Sequence, residues 1–342
     1  DPEIFEMELD RIWGRVWIYV GHESQIKNPG DTYALNIGRE PILMVRAKDG
    51  KIHVLHNRCG HKGVKEMPNG CGHVAGFRCP YHGWTYHLDG RLQAVPARGG
   101  YEGSGFDIKN PEFHMKPVAQ FESYRGLVFA CFDKTTEDLK SYLGDAAATI
   151  DNMCDRAPEG EVEVAGAPLR YVHDNNWKMF IENLNDAMHP MVTHGSVGNA
   201  TRRFAAKMPE GAAYPREAEI IFPFGSSYQF FDDMGVTALP NGHNYMGGKK
   251  SIHTAYSDIP GYYEAMVKAY GEKRTQEILS QNRHNTLFYP SFTAKDAVQA
   301  VRVVRPIAVN KTLVETWHFR LKGAPDMNSL VAVGTGAASA RM

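Results

Sequence analysis

The chain has 342 residues, 43% of them hydrophobic and 23% charged, a composition that excludes intrinsic disorder and fibrous repeats. Its 38 Lys and Arg against 39 Asp and Glu leave a net charge of -1, which offers no long-range attraction for a phosphate backbone or an anionic membrane surface. No run approaches the roughly 20 apolar residues that span a bilayer, and the N-terminus has neither a basic nor an apolar leader region. No nucleic acid or membrane partner is expected, and the chain reads as cytoplasmic. It opens on Asp1 without a Met and ends after a small-residue stretch, Gly334 to Ala340, so incomplete ends are expected.

In chain order, Phe5, Leu9, Ile12, Trp13 and Val16 recur at helical spacing and predict an amphipathic helix over residues 1–20, expected to pack on the later, larger domain. From Asp31 to Phe132 the texture changes to short apolar runs, Pro41 to Val45, Ile52 to Leu55 and Gly126 to Phe132, divided by turn sequences such as Lys-Asp-Gly and Leu-Asp-Gly-Arg. This is the pattern of a small antiparallel β domain over residues 21–135. Lys134 to Cys154 turns helix-like and marks the boundary.

Residues 136–342 mix helix-like segments, Trp177 to Met188 and Gly261 to Gln281, with strand-like ones, Ala218 to Phe224, Ala300 to Pro306 and Thr312 to Leu321. In the last, Leu313, Glu315, Trp317 and Phe319 alternate with Val314, Thr316, His318 and Arg320, as suits a sheet with one face covered by helices. The fold class is α+β: an all-β domain followed by a larger domain with an antiparallel sheet flanked by helices.

Five cysteines are an odd set for a disulfide framework, and three of them crowd into 21 residues that are also rich in histidine. Cys59-Gly60-His61 is followed after 17 residues by Cys79-Pro80-Tyr81-His82-Gly83-Trp84. Two facing loops of this kind present two thiolates and two imidazoles to one point, a donor set suited to zinc or to an iron-sulfur centre. Zinc fingers typically take both sulfurs from one element and both nitrogens from another. Here each loop supplies one of each, in unlike CxH and CxxH spacings, which matches a Rieske [2Fe-2S] cluster: Cys59 and Cys79 on one iron, His61 and His82 on the other. The bland alternative is a pair of buried cysteines beside satisfied histidines. Cys71-Gly72-His73 repeats the CxH spacing but lies too close to Cys79 to form an independent loop, and is read as a decoy. Gly60, Gly63 and Gly83 suit a tight backbone around such a cluster.

The string from Asn57 to Gly63 with that from Cys79 to Trp84 resembles the Rieske domain of ring-hydroxylating non-haem iron oxygenases, in their catalytic α subunit. Respiratory Rieske proteins carry an additional cysteine in each cluster loop, absent here. The resemblance directs attention to Glu182-Asn183-Leu184-Asn185-Asp186-Ala187-Met188-His189, four residues, then His194, which is similar to the iron motif of that family. On a regular helix, histidines five apart diverge by about 140°, so the two share a metal only where the helix is distorted or ends, and Pro190 is a cause at hand. Helical spacing sets Glu182, Asp186 and His189 on one face, with Asp186 placed to hold a ligand histidine.

The resemblance implies that His189 and His194 bind a mononuclear iron(II), and that Asp186 links this iron to a Rieske histidine, His82, of a neighbouring subunit. It implies a homotrimer, with or without a β subunit. The family's third ligand is a late acidic residue on a helix. None of Asp296, Glu315 and Asp326 fits, and the expectation is that this helix lies outside the sequence.

No dinucleotide-binding glycine motif or P-loop is present, so electrons are expected from a separate ferredoxin or reductase. The implied activity is hydroxylation of an aromatic substrate with O2, one or both oxygen atoms being inserted. The alternatives are demethylation or mono-oxygenation at a non-ring position, or a Rieske electron carrier without catalysis. Leu184, Met188, Met191 and Val192, with Phe222, Phe224, Phe230 and Phe231 on a later strand, are candidates to line an apolar pocket. Arg302 and Arg305 alternate with valines, and either is a candidate clamp for a substrate carboxylate.

Overall fold

Two turns fix the hairpins of the N-terminal half. In Lys48-Asp49-Gly50 and Leu88-Asp89-Gly90 the aspartate side chain accepts the amide N–H two residues on, at 3.1 and 3.0 Å, and the glycine takes φ +82° or +86°, which other residues rarely adopt. The computed structural model describes residues 1–212, 228–248 and 260–325. The chain divides into two compact units, Asp1–Leu139 and Lys140–Met342.

The first unit begins with α1 (Pro2–Glu8), capped by Asp1 and continued by a wider turn to Trp13. Strands β1 (Ile18–His22), β2 (Asp31–Ile37), β3 (Glu40–Arg46), β4 (Ile52–His56), β5 (Gly70–His73), β6 (Phe77–Arg78), β7 (Thr85–Tyr86), β8 (Leu92–Ala94), β9 (Gln120–Tyr124) and β10 (Leu127–Cys131) follow. They form three antiparallel sheets, ordered β4-β3-β2-β5, β6-β7-β8 and β1-β10-β9. The N-terminal helix falls within this unit. Trp13 and Trp17 are buried, and the Trp17 indole donates to the Glu137 carbonyl at 2.8 Å. Leu43, Val45, Leu55, Phe77, Trp84 and Tyr86 make a core that also encloses Cys59 and Cys79. Burial of each large apolar side chain contributes about 1.5–3 kcal/mol, so both thiols are anchored in a well-packed core.

In the second unit, α2 (Leu139–Leu143) and α3 (Ala147–Asp155) lead to β11 (Val162–Val164), β12 (Leu169–His173), α4 (Trp177–Leu184), α5 (Pro190–Thr193), α6 (Gly195–Ala205), α7 (Tyr228–Met234), β13 (Val236–Ala238) and β14 (Asn244–Gly248). Two further helices, Tyr262–Tyr270 and Glu272–Ser280, precede β15 (Asn282–Phe288), β16 (Phe292–Lys295), β17 (Ala300–Ala308) and β18 (Lys311–Leu321). The eight-stranded sheet runs β11-β18-β17-β16-β15-β14-β13, with β12 also paired to β18. Helices cover both faces, not one. Thr149 of α3 shares a 2.7 Å hydroxyl bond with Thr286 on one side. On the other, Phe180 of α4 packs 5.4 Å from His173, and Asn285 Nδ2 donates to the Leu184 carbonyl at 2.7 Å.

Three expected elements differ. The helix from Trp177 stops at Leu184, four residues early, and the Gly261 to Gln281 helix is broken at Gly271, whose φ of 77° and ψ of 159° are not helical. Phe230 and Phe231 lie on α7, not on a strand, while the strand expected over Ala218 to Phe224, with Phe222 and Phe224, lies outside the described residues. Among the described residues no helix is long and apolar enough to cross a membrane.

Candidate metal centres

The cysteine-histidine loops connect β4 to β5 and β6 to β7, and they fold by the same local rule. Cys59 N–H donates to the Val64 carbonyl at 2.8 Å, and Gly63 N–H donates back to the Cys59 carbonyl at 2.9 Å. In the second loop Cys79 donates to Trp84 at 2.8 Å and Gly83 to Cys79 at 3.0 Å. Both closing glycines sit at left-handed φ, +69° and +70°, where a Cβ is strained. Gly60 is required for another reason: an added Cβ would overlap the carbonyl oxygen of Phe113. Thus CGHKG and CPYHG are one turn used twice.

These turns bring the two thiols together with the Glu66 carboxylate, one ligand atom of each lying within 4.8 Å of the others. All three residues are buried. Cys59 Sγ is 3.1 Å from the Tyr86 hydroxyl, which also accepts the Gly60 N–H at 3.0 Å. Burial pushes the Cys59 thiol up to about 11 and the Glu66 carboxyl up to about 7, so at neutral pH a bound cation would be needed to turn this cysteine into a thiolate.

The imidazoles lie further out. His61 is partly buried and His82 exposed, with ring centres 4.7 Å apart. His61 stacks on Trp84 at 4.8 Å, and its buried Nδ1 has no hydrogen-bond partner. Two thiols inside, two imidazoles outside and an orphan ring nitrogen fit a [2Fe-2S] group with unlike irons. The decoy lies elsewhere: Cys71 is an exposed β-strand residue and His73 Nδ1 bonds Asp31 at 2.8 Å. Glu66 and Tyr86 carry no spacing signal and are visible only in the fold.

The second centre starts where α4 stops. Asn185 departs from helical geometry at φ -117° and ψ 19°, and Asp186 is therefore not on a helix face with Glu182, as spacing had implied. Its Oδ1 accepts the Met188 N–H at 2.7 Å, the largest cause of an Asp186 carboxyl held below the usual range, and its Oδ2 lies 3.3 Å from His189 Nδ1. His189 caps α5 ahead of Pro190, and His194, at φ -101° and ψ 5°, forms the break between α5 and α6. That break brings the rings to 5.3 Å, closer than a straight helix allows. His189 Nε2 faces the Asn183 side-chain amide at 3.3 Å. Burial, and then His189, lower the His194 pKa, favouring the neutral imidazole that binds metals.

Of the candidate pocket residues, Leu184 is core, and Met191 packs with Ala187 and Phe230 on the cluster of Phe231, Met234 and Met246. Among the described residues Met188 and Val192 are largely uncovered, 61% and 74% exposed. The two imidazoles fit two positions of a 2-His-1-carboxylate iron site. Among the described residues no carboxylate completes a three-ligand group with them. Asp296 is buried with Asn152, Glu315 is held by Arg170 and Arg305, and Asp326 lies outside the described residues.

Residues 16–121 match the Rieske [2Fe-2S] domain family. The anthranilate 1,2-dioxygenase large subunit of Acinetobacter baylyi is 34% identical over 94% of this chain and 68% of its own length. Toluate 1,2-dioxygenase subunit alpha of Pseudomonas putida is 30% identical over 94% and 69%. Among solved structures, a naphthalene 1,2-dioxygenase mutant bound to phenanthrene superposes with a TM-score of 0.78 at 27% identity, covering 99% of this chain and 76% of that one. Naphthalene 1,2-dioxygenase from Rhodococcus sp., bound to indole, gives 0.75 at 27% identity, covering 98% and 74%.

Proposed function

The chain belongs to the catalytic α subunits of Rieske-type aromatic ring-hydroxylating oxygenases, and from that premise we propose that Cys59, His61, Cys79 and His82 hold the [2Fe-2S] cluster while His189 and His194 hold the mononuclear iron(II). When bound, the cluster would supply one electron at a time and the iron would be the site where O2 meets the aromatic ring. The observation that carries the reading is the second centre, two imidazoles with ring centres 5.3 Å apart and a carboxylate behind one of them, which an electron carrier does not need.

This chain's own groups do three things there. Asp186, fixed by the Met188 amide, faces His189 Nδ1 and orients the ring so that Nε2 is the nitrogen that would bind a metal. Asn285 ties the end of α4 to the sheet, so the ligand turn starts from a fixed point. Leu184 and the Phe231 cluster keep the surroundings apolar. Relatives named for anthranilate and toluate, and naphthalene dioxygenase neighbours, support an aromatic substrate, hydroxylated at one or two positions.

Electrons come from a separate ferredoxin or reductase in the cytoplasm. His82 is exposed and Asp186 is 45% exposed, so each is accessible to a second copy of the chain. This supports a homotrimer in which Asp186 of one subunit meets His82 of the next, with or without a β subunit.

The test is the metal content of anaerobically purified protein, with its visible and reduced-state EPR spectra. About three irons and two sulfides per chain are expected, with a Rieske signal. His189→Ala should remove about one iron and all substrate-dependent O2 uptake while sparing that signal. Unchanged iron and uptake in this variant would refute the assignment.

A further inference from the structure

The sheet face under α4 carries a group of side chains that the two metal centres do not use. Thr293, Arg302 and Thr316 are direct cross-strand partners on β16, β17 and β18, and so share one face. The next row on that face is Lys295, Ala300 and His318. Tyr171 and His173 of β12 also belong to it, because Leu169 pairs with Thr316 and the alternation continues. Phe180 of α4 lies against these two rings, at 6.5 and 5.4 Å. At its far end α4 is tied by Asn285, on the strand beside β16, at the point where the turn to Asp186 and His189 begins. The group therefore lies on the same side of the sheet as the iron motif.

Its chemistry is that of an anion site. Arg302, Lys295 and His318 are each partly buried, and no carboxylate among the described residues lies within ion-pair distance of Lys295 or His318. Burial, then Arg302 and Lys295, push His318 down to about 4, so at neutral pH it is a neutral hydrogen-bonding ring beside the basic side chains of Arg302 and Lys295. Burial, then Arg302, hold Lys295 well below its ordinary value. Thr293 and Thr316, each 1% exposed, flank Arg302 with hydroxyl oxygens that have no hydrogen-bond partner. Clustered basic side chains and unmet buried hydroxyls each cost stability, and such groups collect where a ligand completes them. Arg305, the other candidate clamp, faces the opposite side and is locked to Glu315 at 3.1 Å.

We propose that Arg302, Thr293 and Thr316, with Lys295 and His318 beside them, bind the carboxylate of an aromatic acid and thereby select acidic over neutral rings. The guanidinium offers a planar two-donor fork to the two oxygens, and the threonine hydroxyls and the Lys295 amine add donors. The assignment deepens the oxygenase reading above and rests on it for the ring's fate, although not for its binding.

The test is calorimetric titration of the holoprotein with benzoate and with its neutral isostere benzamide, followed by O2 uptake with each. Benzoate is expected to bind at least roughly tenfold tighter, and Arg302→Met to bring the ratio to about one, a change of about 1.4 kcal/mol or more. Lys295→Met and Thr316→Val should reduce the ratio by roughly threefold or more each. The visible cluster spectrum checks that each variant is assembled. Equal affinity of the wild type for the two ligands overturns the proposal, as does a ratio unchanged in Arg302→Met. Should that variant not assemble, ratios unchanged in both Lys295→Met and Thr316→Val overturn it. An Arg302-dependent preference for benzoate without substrate-dependent O2 uptake upholds the carboxylate site and removes only the oxygenase reading.

Discussion

Asp186 faces His189 across 3.3 Å, Oδ2 to Nδ1, while its other oxygen accepts the Met188 amide at 2.7 Å. The carboxylate is thus oriented by the backbone on one side and orients an imidazole on the other. Asp186→Asn keeps the shape and removes the charge. It should weaken iron retention at the second centre roughly 10–100-fold and lower turnover comparably, with the cluster spectrum unaltered. Iron analysis after mild chelation is the check, and retention equal to wild type would count against the role given to Asp186.

Glu315 accepts from Arg305 at 3.1 Å and from Arg170 at 2.7 Å, and the Glu315 and Arg305 side chains are only 5% and 7% exposed. Removing the anion from a buried pair leaves an uncompensated guanidinium, at a cost of about 3 kcal/mol. Glu315→Gln should lower the unfolding temperature of the second unit by roughly 6–12 °C without changing the cluster spectrum. A fall below about 2 °C would mean that Arg305 finds another partner.

The two kinds of glycine in the cluster loops should respond differently. Gly60→Ala drives a Cβ into the Phe113 carbonyl, whereas Gly63→Ala meets open space and suffers only from its φ of +69°. The first should sharply reduce cluster absorbance per chain, and the second should cost about 1–2 kcal/mol while leaving most of the cluster in place. Equal absorbance in the two variants contradicts the close approach at Gly60.

His318 has a folded-state pKa of about 4 against an ordinary 6.5. Between these values the unfolded chain binds the proton more readily, so stability falls as pH drops from 6.5 toward 4 and gains nothing above 6.5 from this group. The slope is at most about 1.4 kcal/mol per pH unit. His318→Gln should flatten the dependence of the unfolding temperature between pH 7.5 and 5, and parallel curves for the two proteins would show that His318 does not titrate in this way.

The cluster loops were legible because their information is local. A cysteine, a histidine and a closing glycine within five residues dictate one turn, and the turn occurs twice, at Cys59 to Gly63 and at Cys79 to Gly83. The β texture of residues 31–132 and the helical character of residues 139–155 were readable for the same reason, being periodicities of neighbouring residues. The motif from Glu182 to His194 was readable as a motif but not as a shape. Helical spacing placed Asp186 on a face with Glu182, whereas the helix ends at Leu184 and is held there by Asn285, about a hundred residues away.

What only the tertiary structure decided was which side chains face each other across the sheet. Arg302 and Arg305 are equivalent in an alternating string, yet β-strand parity sends them to opposite faces, one to Glu315 and the other to the side covered by α4. Glu66 and Tyr86 beside the thiols, and Thr293 and Thr316 beside Arg302, come from separate strands and loops and share no spacing in the sequence. Register and burial assemble such groups, and both are set by long-range pairing, so a linear pattern announces the chemistry of a metal loop but not the company that a strand residue keeps.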